Sequence, residues 1–204
     1  MYMGKVGNRE TEIFQFLQPF MEEQFQLSCQ WFQDVMEYYG SEVWNELKIT
    51  IRKLLKKTEL LQKEHKKGEV QYFIISFLRC SIYLDKLQWR MDILDDQFYL
   101  DDQECEGYYL PVFIQGKYWE DLDFLLEKAR DRFIRLQNYE WMEIKEQYTE
   151  FYVLFVLQMV DSLIEYIMEE IEENKISLSE SFKVICGEYM DRGIILYERE
   201  KKEK

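Results

Sequence analysis

Proline and glycine, the two residues that most often interrupt helices, are both scarce in this chain. Proline occurs only twice in 204 residues, at Pro19 and Pro111, and glycine only eight times. Proline breaks a helix because it lacks a backbone N–H and clashes with the preceding turn, whereas glycine weakens a helix through its conformational entropy. Where both are absent, apolar residues recur at three- and four-residue spacing, which is typical of amphipathic helices. The sequence therefore predicts a chain of long helices.

Residues that commonly hold metals or act as nucleophiles are also scarce. His65 is the only histidine, and lysines surround it at a predicted helix end, where we expect it to face solvent. The four cysteines form no Cys-x-x-Cys pair, and the sequence has neither a glycine-rich phosphate loop nor a Gly-x-Ser-x-Gly motif. We therefore expect no cofactor.

Basic residues are in deficit, with 26 Lys and Arg against 40 Asp and Glu and a formal net charge of −14. Proteins bind nucleic acids and anionic membranes largely through Lys and Arg, so we expect neither partner. The imbalance is uneven along the chain. Glu42 to Lys67 has eight basic and four acidic residues, whereas Met91 to Glu127 has eleven acidic residues and one lysine.

Long apolar runs are absent as well. The longest, Phe151 to Val160, has ten residues, about half of the roughly 20 that a membrane-spanning helix needs. Met1 to Glu10 is polar and has no apolar leader segment. Together with the scattered cysteines, these observations predict a cytoplasmic protein with reduced thiols.

The predicted fold class is mainly α: a single domain over 1–204, resembling a helical bundle of about six helices, with a small β-hairpin near the middle. We expect residues 1–8 and 199–204 to fray. The first helix follows an N-cap at Asn8 and ends at Gly40, where a left-handed glycine would lead into a tight helical hairpin. The other predicted helices are Ser41 to Lys67, Glu69 to Gln88, Trp119 to Gln137, Tyr139 to Glu173, and a sixth that begins with the capping box Ser177 and Glu180.

Two features modify this helical pattern. The fifth helix would be about 50 Å long at 1.5 Å per residue, so we expect it to bend. Residues 95–117 contain the breakers Gly107, Pro111 and Gly116, and we interpret them as an irregular insert with strands over Gln97 to Asp101 and Tyr108 to Ile114. Ile194 to Tyr197 is a further candidate strand, which would pair with this hairpin.

Candidate binding residues lie in and beside the insert. On the predicted third helix, Arg79, Tyr83, Lys86 and Arg90 recur at steps of four, three and four, and they lead into Asp92 and Asp95. Arginine forks bind carboxylates and phosphates, so this stripe either holds an anionic ligand or pairs internally with the nearby aspartates. Aromatic residues that favour interfaces follow. The predicted binding set is Arg79, Tyr83, Arg90, Asp92, Asp95, Tyr99, Tyr108, Tyr109 and Trp119.

These observations favour a cytosolic, non-enzymatic interaction or regulatory protein, whose acidic, aromatic-rich insert contacts a protein partner or a second copy of the chain. One alternative is a metal-dependent helical-bundle hydrolase acting on a phosphorylated small molecule, with Glu143, Glu146, Asp161 and Glu165 as metal ligands. Another is an acidic mimic of nucleic acid, which would require one continuous acidic surface over Met91 to Glu127.

Overall fold

A computed structural model of the protein describes residues 9–101 and 103–199. Within these residues, four helical elements, the first of which is kinked, and five strands follow one another. The elements are α1 (Arg9–Lys63), β1 (Val70–Phe77), β2 (Trp89–Leu94), β3 (Glu106–Tyr109), α2 (Val112–Arg132), α3 (Asn138–Asp161), α4 (Ile164–Glu173), β4 (Leu178–Glu188) and β5 (Gly193–Glu198), with short 3-10 helices over Arg79–Leu84 and Phe98–Leu100. The predicted N-cap Asn8, residues 1–8 and residues 200–204, for which we expect fraying, lie outside the described residues.

The predicted mainly-α, six-helix bundle is wrong. The protein is 63% helical and 18% strand, with a five-stranded mixed sheet, so it is a mixed α/β protein and not all-α. The predicted third helix is replaced by β1, a 3-10 helix and β2, and the predicted sixth helix is β4. Both regions are rich in β-branched and aromatic residues, and in β4 alternate residues Phe182, Val184 and Cys186 are buried. Burial of alternate residues stabilises a strand in preference to a helix here.

The sheet has the strand order β3-β2-β1-β4-β5. The central strand β1 pairs with β2 in antiparallel and with β4 in parallel orientation, and the β2–β3 and β4–β5 pairs are antiparallel. One face of the sheet is the core face, because its side chains are almost fully buried. They include Phe73, Ile75, Phe77, Met91, Ile93, Phe182, Val184 and Cys186.

The structure has a kink in α1 close to the predicted end of the first helix. α1 consists of two helical segments that join at Tyr39, whose dihedrals are non-helical (φ −127°, ψ 15°), one residue before Gly40. No glycine in the described residues has a positive φ. The second segment ends at Lys63, and His65, two residues later, has a φ of 55°. The N–H of His65 donates to Gln62 O and that of Lys66 to Leu61 O, which is the Schellman pattern with histidine in the usual glycine position.

The later helices agree better with the helices predicted from the sequence. Helix α2 begins at Val112, seven residues before the predicted start, and the fifth predicted helix is divided into α3 and α4. The bend expected in this long helix is confirmed, since α3 and α4 meet at an angle of 48°. In the described part of the chain no single helix is long and apolar enough to cross a membrane, and only α3 and α4 taken together as a bent pair meet the length and composition criteria.

The predicted hairpin in the insert is wrong in its pairing. Residues Phe98–Leu100 form a 3-10 helix, and β3 pairs with β2 instead of with that segment. Pro111 directly precedes α2 and ends the second predicted strand after Tyr109. The strand predicted at Ile194 to Tyr197 is present within β5, but it pairs with β4 and not with the insert.

The chain divides into two compact units. Unit 1 comprises residues 1–40 and 112–152, and its described part is three helical segments from α1, α2 and α3. Unit 2 comprises residues 41–111 and 153–204 and contains the sheet, the second part of α1, the end of α3, and α4. The single domain over 1–204 stays a prediction.

Candidate functional site

The candidate site lies on the second face of the sheet in unit 2, which we call the open face. Ile74 of β1 is opposite Asp92 of β2 and Ile185 of β4, and Ser76 is opposite Arg90 and Gly187. Because side chains alternate across a strand, these residues share the face that is turned away from Phe73, Ile75 and Phe77. Strand pairing therefore brings together residues that are up to about a hundred positions apart in sequence.

A groove of about 510 Å³ follows this face at the end of β1 and β4. Its lining is predominantly apolar. The lining residues are Ile74, Ser76, Phe98, Tyr99, Ile185, Gly187, Glu188, Met190, Asp191, Gly193 and Ile195. A Cβ on Gly187 would lie 2.2 Å from Arg192 O and 2.5 Å from Gly193 Cα, so only glycine allows the close approach of β4 and β5 at this position.

The groove lining includes the hydroxyl of Ser76. Ser76 is 1% exposed, and its Oγ has no hydrogen-bond partner among the described residues. Most buried hydroxyls in folded proteins are hydrogen-bonded, because leaving one unpaired costs about 1–3 kcal/mol. The groove therefore contains an unused hydrogen-bonding group at its base.

Aromatic rings form one wall of the groove. The ring of Phe98 lies 5.1 Å from that of Tyr72 and 4.4 Å from that of Tyr99, and the Tyr99 ring lies 6.0 Å from that of Tyr189. The Arg90 guanidinium lies 5.0 Å from the centroid of Tyr189. Burial and the nearby Asp92 carboxylate raise the pKa of Tyr99. These contacts hold the wall in place while leaving Phe98 40% exposed.

Arg90 is the centre of an ion-pair network beside this wall. Its guanidinium donates to both carboxylate oxygens of Asp92 at 2.8–2.9 Å and lies 2.8 Å from Glu106 Oε2. The hydrogen bonds to Asp92 raise the pKa of Arg90. Burial raises the pKa of the Asp92 carboxyl, although Arg90 opposes this effect. The Arg90 guanidinium is therefore already paired with carboxylates of this chain.

A second ion pair lies at the rim. Arg79 Nη2 is 2.5 Å and Nε 3.0 Å from the two carboxylate oxygens of Glu188, and this hydrogen bonding lowers the pKa of Glu188. Asp191, also at the rim, is exposed. Both groups make the rim polar around an apolar interior, an arrangement common to protein contact sites.

Two residues of the groove have unusual backbone conformations. Phe98 and Met190 have φ values of 56° and 57°. The other non-glycine residues with positive φ, which are His65, Asp85, Arg135 and Lys175, each follow a helical segment. Met190 is the third residue of the turn closed by Asp191 N donating to Glu188 O, a position that usually holds glycine or asparagine when φ is positive.

The structure groups only part of the predicted binding set. Arg90, Asp92, Tyr99 and Tyr108 lie together on the open face, and Arg79 joins them through Glu188. Asp95 is buried and accepts from the N–H groups of Gly68 and Gln97, which ties down the end of β2. The remaining three lie elsewhere: Tyr83 is exposed on a 3-10 helix, Tyr109 is buried on the core face, and Trp119 is on α2 in unit 1.

The cationic stripe predicted on a third helix does not exist, because Arg79 lies on a 3-10 helix and Arg90 on β2. Sequence reasoning also missed the apolar residues of the groove. The signal that was available is the alternation over Leu178–Glu188, where buried Phe182, Val184 and Cys186 alternate with the partly exposed Lys183 and Ile185.

The carboxylates proposed as metal ligands lie at or near the protein surface. Glu143, Asp161 and Glu165 are exposed and Glu146 is half-buried, and the first and last pairs belong to different units. Among residues 9–101 and 103–199, no group of three His, Cys, Asp or Glu side chains is arranged to hold a metal ion.

The charge of the acidic stretch over Met91 to Glu127 is partly neutralised by basic residues that precede it in the chain. Lys67 forms a buried ion pair with Asp101, and Arg90 pairs with Asp92 and Glu106. These pairs argue against the continuous acidic surface that mimicry of nucleic acid requires.

Unit 1 contains a separate buried polar cluster around Asp121, which is 0% exposed. Three hydroxyl groups donate to its Oδ2 at 2.6 Å, those of Ser28, Tyr148 and Tyr152. Gln24 Nε2 at 2.9 Å and Lys117 Nζ at 3.2 Å contact Oδ1. Burial raises the pKa of both tyrosines, so they stay protonated as donors. Because these partners satisfy both carboxylate oxygens, we interpret the cluster as a hydrogen-bond network that stabilises unit 1.

Comparison with known proteins gives no further identification: no protein-family model matches the chain, and no curated protein or solved structure matches it either. The site is therefore interpreted from its own geometry.

Proposed function

We propose that the protein is a non-enzymatic interaction protein whose contact surface is the groove on the open face of the sheet. The observation that supports this proposal most is the apolar groove with the buried, unpaired hydroxyl of Ser76 at its base. A partner segment that places an apolar side chain in the groove would exclude water from Ile185 and Ile195, and a polar group of the same segment would form the hydrogen bond that Ser76 lacks.

A peptide segment of another protein fits the groove better than a free charged ligand. The interior is apolar, and the nearby cations Arg79 and Arg90 are already paired with carboxylates. Aromatic residues such as Phe98 and Tyr99 are enriched at protein interfaces, because they bury large areas at low conformational cost. This proposal moves the predicted contact surface from the acidic insert to the groove, to which the insert contributes these two aromatic residues.

Backbone strain at the groove supports the same interpretation. Residues held in the left-handed region cost about 1–3 kcal/mol each and are concentrated at functional sites. Phe98 and Met190 both have this conformation and both line the groove. An exposed methionine in a position suited to glycine is accounted for if its side chain contacts a partner.

Localisation to the cytoplasm is part of this proposal. All four cysteines, Cys29, Cys80, Cys105 and Cys186, are free thiols. Free thiols, including the exposed Cys80, are typical of proteins that reside in a reducing compartment.

The test is selection of a random 12-residue peptide library against the full chain, followed by affinity measurements on the enriched peptides. Met190→Glu places a charge in the groove and should weaken their binding at least tenfold. Ile134→Glu is the matched control, since Ile134 is an exposed apolar residue of unit 1 and the change is chemically the same.

The proposal predicts that Ile134→Glu leaves the peptide affinity within about twofold of the wild-type value. Equal affinity of the enriched peptides for the wild type and for Met190→Glu would refute it. So would a selection in which no peptide is enriched.

A further inference from the structure

The aromatic wall of the groove is carried by residues 95–101, which we call the wall segment. It contains the 3-10 helix Phe98–Leu100, and two of its residues, Phe98 and Tyr99, line the groove. No residue of this 3-10 helix is buried, and Leu100 is 82% exposed. A segment with so little buried surface opens easily unless other contacts hold it.

The first end of the wall segment is held by Asp95. Its Oδ2 accepts from the N–H of Gly68 at 3.3 Å, and its Oδ1 accepts from the N–H of Gln97 at 3.0 Å. The N–H of Phe98 donates to Asp95 O at 3.2 Å, which closes a turn. Asp95 therefore joins the wall segment to the loop that follows α1.

The last residue of the wall segment, Asp101, is held by the residue that precedes Gly68. Lys67 Nζ forms an ion pair with Asp101 Oδ2 and lies 3.3 Å from Gln103 O, while Asp101 Oδ1 accepts from the N–H of Gln103 at 2.8 Å. The side chains of Lys67 and Asp101 are 0% and 3% exposed, so their attraction is stronger than at the surface. Both ends of the wall segment are thus held by two consecutive residues.

The chemistry of a buried ion pair suits it to fixing a position. Such a pair contributes little net stability, because the cost of removing both charges from water offsets most of their attraction. Separating the partners is costly, since each charge is then buried alone. The pair therefore favours the one position of the wall segment in which Lys67 and Asp101 meet. Phe98 needs such support, because its φ of 56° is a conformation that persists only where the surroundings impose it.

We propose that Lys67 and Asp101 are positioning residues for the groove, whose ion pair holds the wall segment where Phe98 and Tyr99 contact a bound partner. This inference rests on the function proposed above, and it adds two residues that are not part of the groove lining. When the pair is broken, only a fraction of the molecules has the wall in place. The apparent dissociation constant of a partner then rises in inverse proportion to that fraction.

The first test measures the affinity of the selected peptides for Lys67→Met, which keeps an unbranched side chain but removes its charge. We expect the dissociation constant to rise about tenfold. The double variant Lys67→Met with Asp101→Asn leaves no buried charge unpaired, so it separates loss of the ion pair from loss of the fold, and it should show a similar rise. Lys63→Met is the matched control, because the same change breaks the exposed Lys63–Glu59 pair and should leave the affinity within about twofold of the wild-type value.

The second test asks whether Lys67 acts through the aromatic wall. A background with Phe98→Ala and Tyr99→Ala lacks both wall rings, so adding Lys67→Met to it should change the peptide dissociation constant by less than about twofold. A general loss of structure would instead weaken binding by the same factor in both backgrounds.

Hydrogen–deuterium exchange without peptide observes the wall segment independently of binding. The N–H groups of Phe98, Leu100 and Asp101 are hydrogen-bonded to carbonyl groups of the same segment. In Lys67→Met these amides should exchange at least about tenfold faster than in the wild type, while those of β1 keep the wild-type rate.

Equal peptide affinity of the wild type and the double variant would overturn this inference, as would an equal loss of affinity with and without the wall rings. Faster exchange throughout β1 would show that the ion pair supports the sheet as a whole and would also overturn it. Failure of the groove itself gives a different result, because Met190→Glu would then bind the enriched peptides as tightly as the wild type.

Discussion

At the scale of single residues, Ser76 gives the sharpest test of whether the groove is maintained for binding. Its hydroxyl is buried without a partner among the described residues. Ser76→Ala removes an unsatisfied polar group and should raise the free energy of unfolding by about 1 kcal/mol. The same change should weaken the selected peptides several-fold, because their hydrogen bond is lost. Urea unfolding and titration calorimetry measure the two effects.

A stability that falls on Ser76→Ala would mean that the hydroxyl already has a partner in solution. Ser179→Ala is a suitable comparison, since the Ser179 hydroxyl is hydrogen-bonded to Ser181 at 3.1 Å and its loss should not stabilise the protein.

Asp121 should be among the most sensitive residues of unit 1. Asp121→Ala leaves the hydroxyls of Ser28, Tyr148 and Tyr152 buried without their acceptor. We expect a loss of about 3–5 kcal/mol, as for other buried charged networks that lose one member. Asp123→Ala is the matched control on the same helix, because Asp123 is exposed and should change the unfolding free energy by less than about 0.5 kcal/mol. Similar losses for the two variants would contradict the proposed cluster.

The cysteines should differ strongly in reactivity. Cys80 is exposed, whereas Cys105 and Cys186 are buried. Burial raises the pKa of Cys186 to about 12 and also raises that of Cys29, so the thiolate form that reacts is scarce at both. Alkylation at pH 8, followed by peptide mass analysis, should label Cys80 first and Cys186 only after unfolding. Labelling of Cys186 in the native protein at the rate of Cys80 would be inconsistent with this sheet.

At the scale of secondary-structure elements, the backbone just after α1 is strained, and a substitution can test this strain. His65 has a φ of 55° in the position that glycine usually occupies. His65→Gly should raise the free energy of unfolding by about 0.5–1 kcal/mol, because a side chain disfavours the left-handed conformation. Urea unfolding measures the change. His65→Ala keeps a Cβ and should give no such gain, and a gain of the same size from alanine would rule out backbone strain as the cause.

The sequence predicts an element correctly where the spacing of its apolar residues is compatible with only one type of secondary structure. Helices α2 and α3 carry apolar residues at helical spacing over 21 and 24 residues, which is longer than strands usually are. Val70–Phe77 is mostly apolar apart from Gln71 and Ser76, and periodicity cannot distinguish a buried strand from a buried helix in such a segment. Ser177 and Glu180 match a capping box, but here they precede and begin a strand. This segment forms a strand because it pairs with β1, and nothing in its own sequence indicates that pairing.

At the scale of the whole molecule, the grouping of the site depends on long-range pairing. Ile74 meets Ile185 because β1 and β4 are parallel neighbours although they are far apart in the chain. Arg90, Asp92 and Tyr108 belong to the predicted binding set because they are close in sequence, but their pairing across β2 and β3 was not predicted. Ser76, Gly187 and Met190 could not be predicted as site residues, since their role appears only when the sheet is formed. The sequence indicated the aromatic residues of the site and missed its apolar interior.

The most direct test of the central claim is hydrogen–deuterium exchange of the full chain with and without a selected peptide. Binding in the groove should slow amide exchange over residues 97–100 and 187–195, which line or adjoin the groove, and leave unit 1 unchanged. Ile134→Glu should show the same protection, and Met190→Glu should show none at the same peptide concentration. Protection confined to unit 1, or its absence from both segments, would contradict the open face of the sheet as the contact surface.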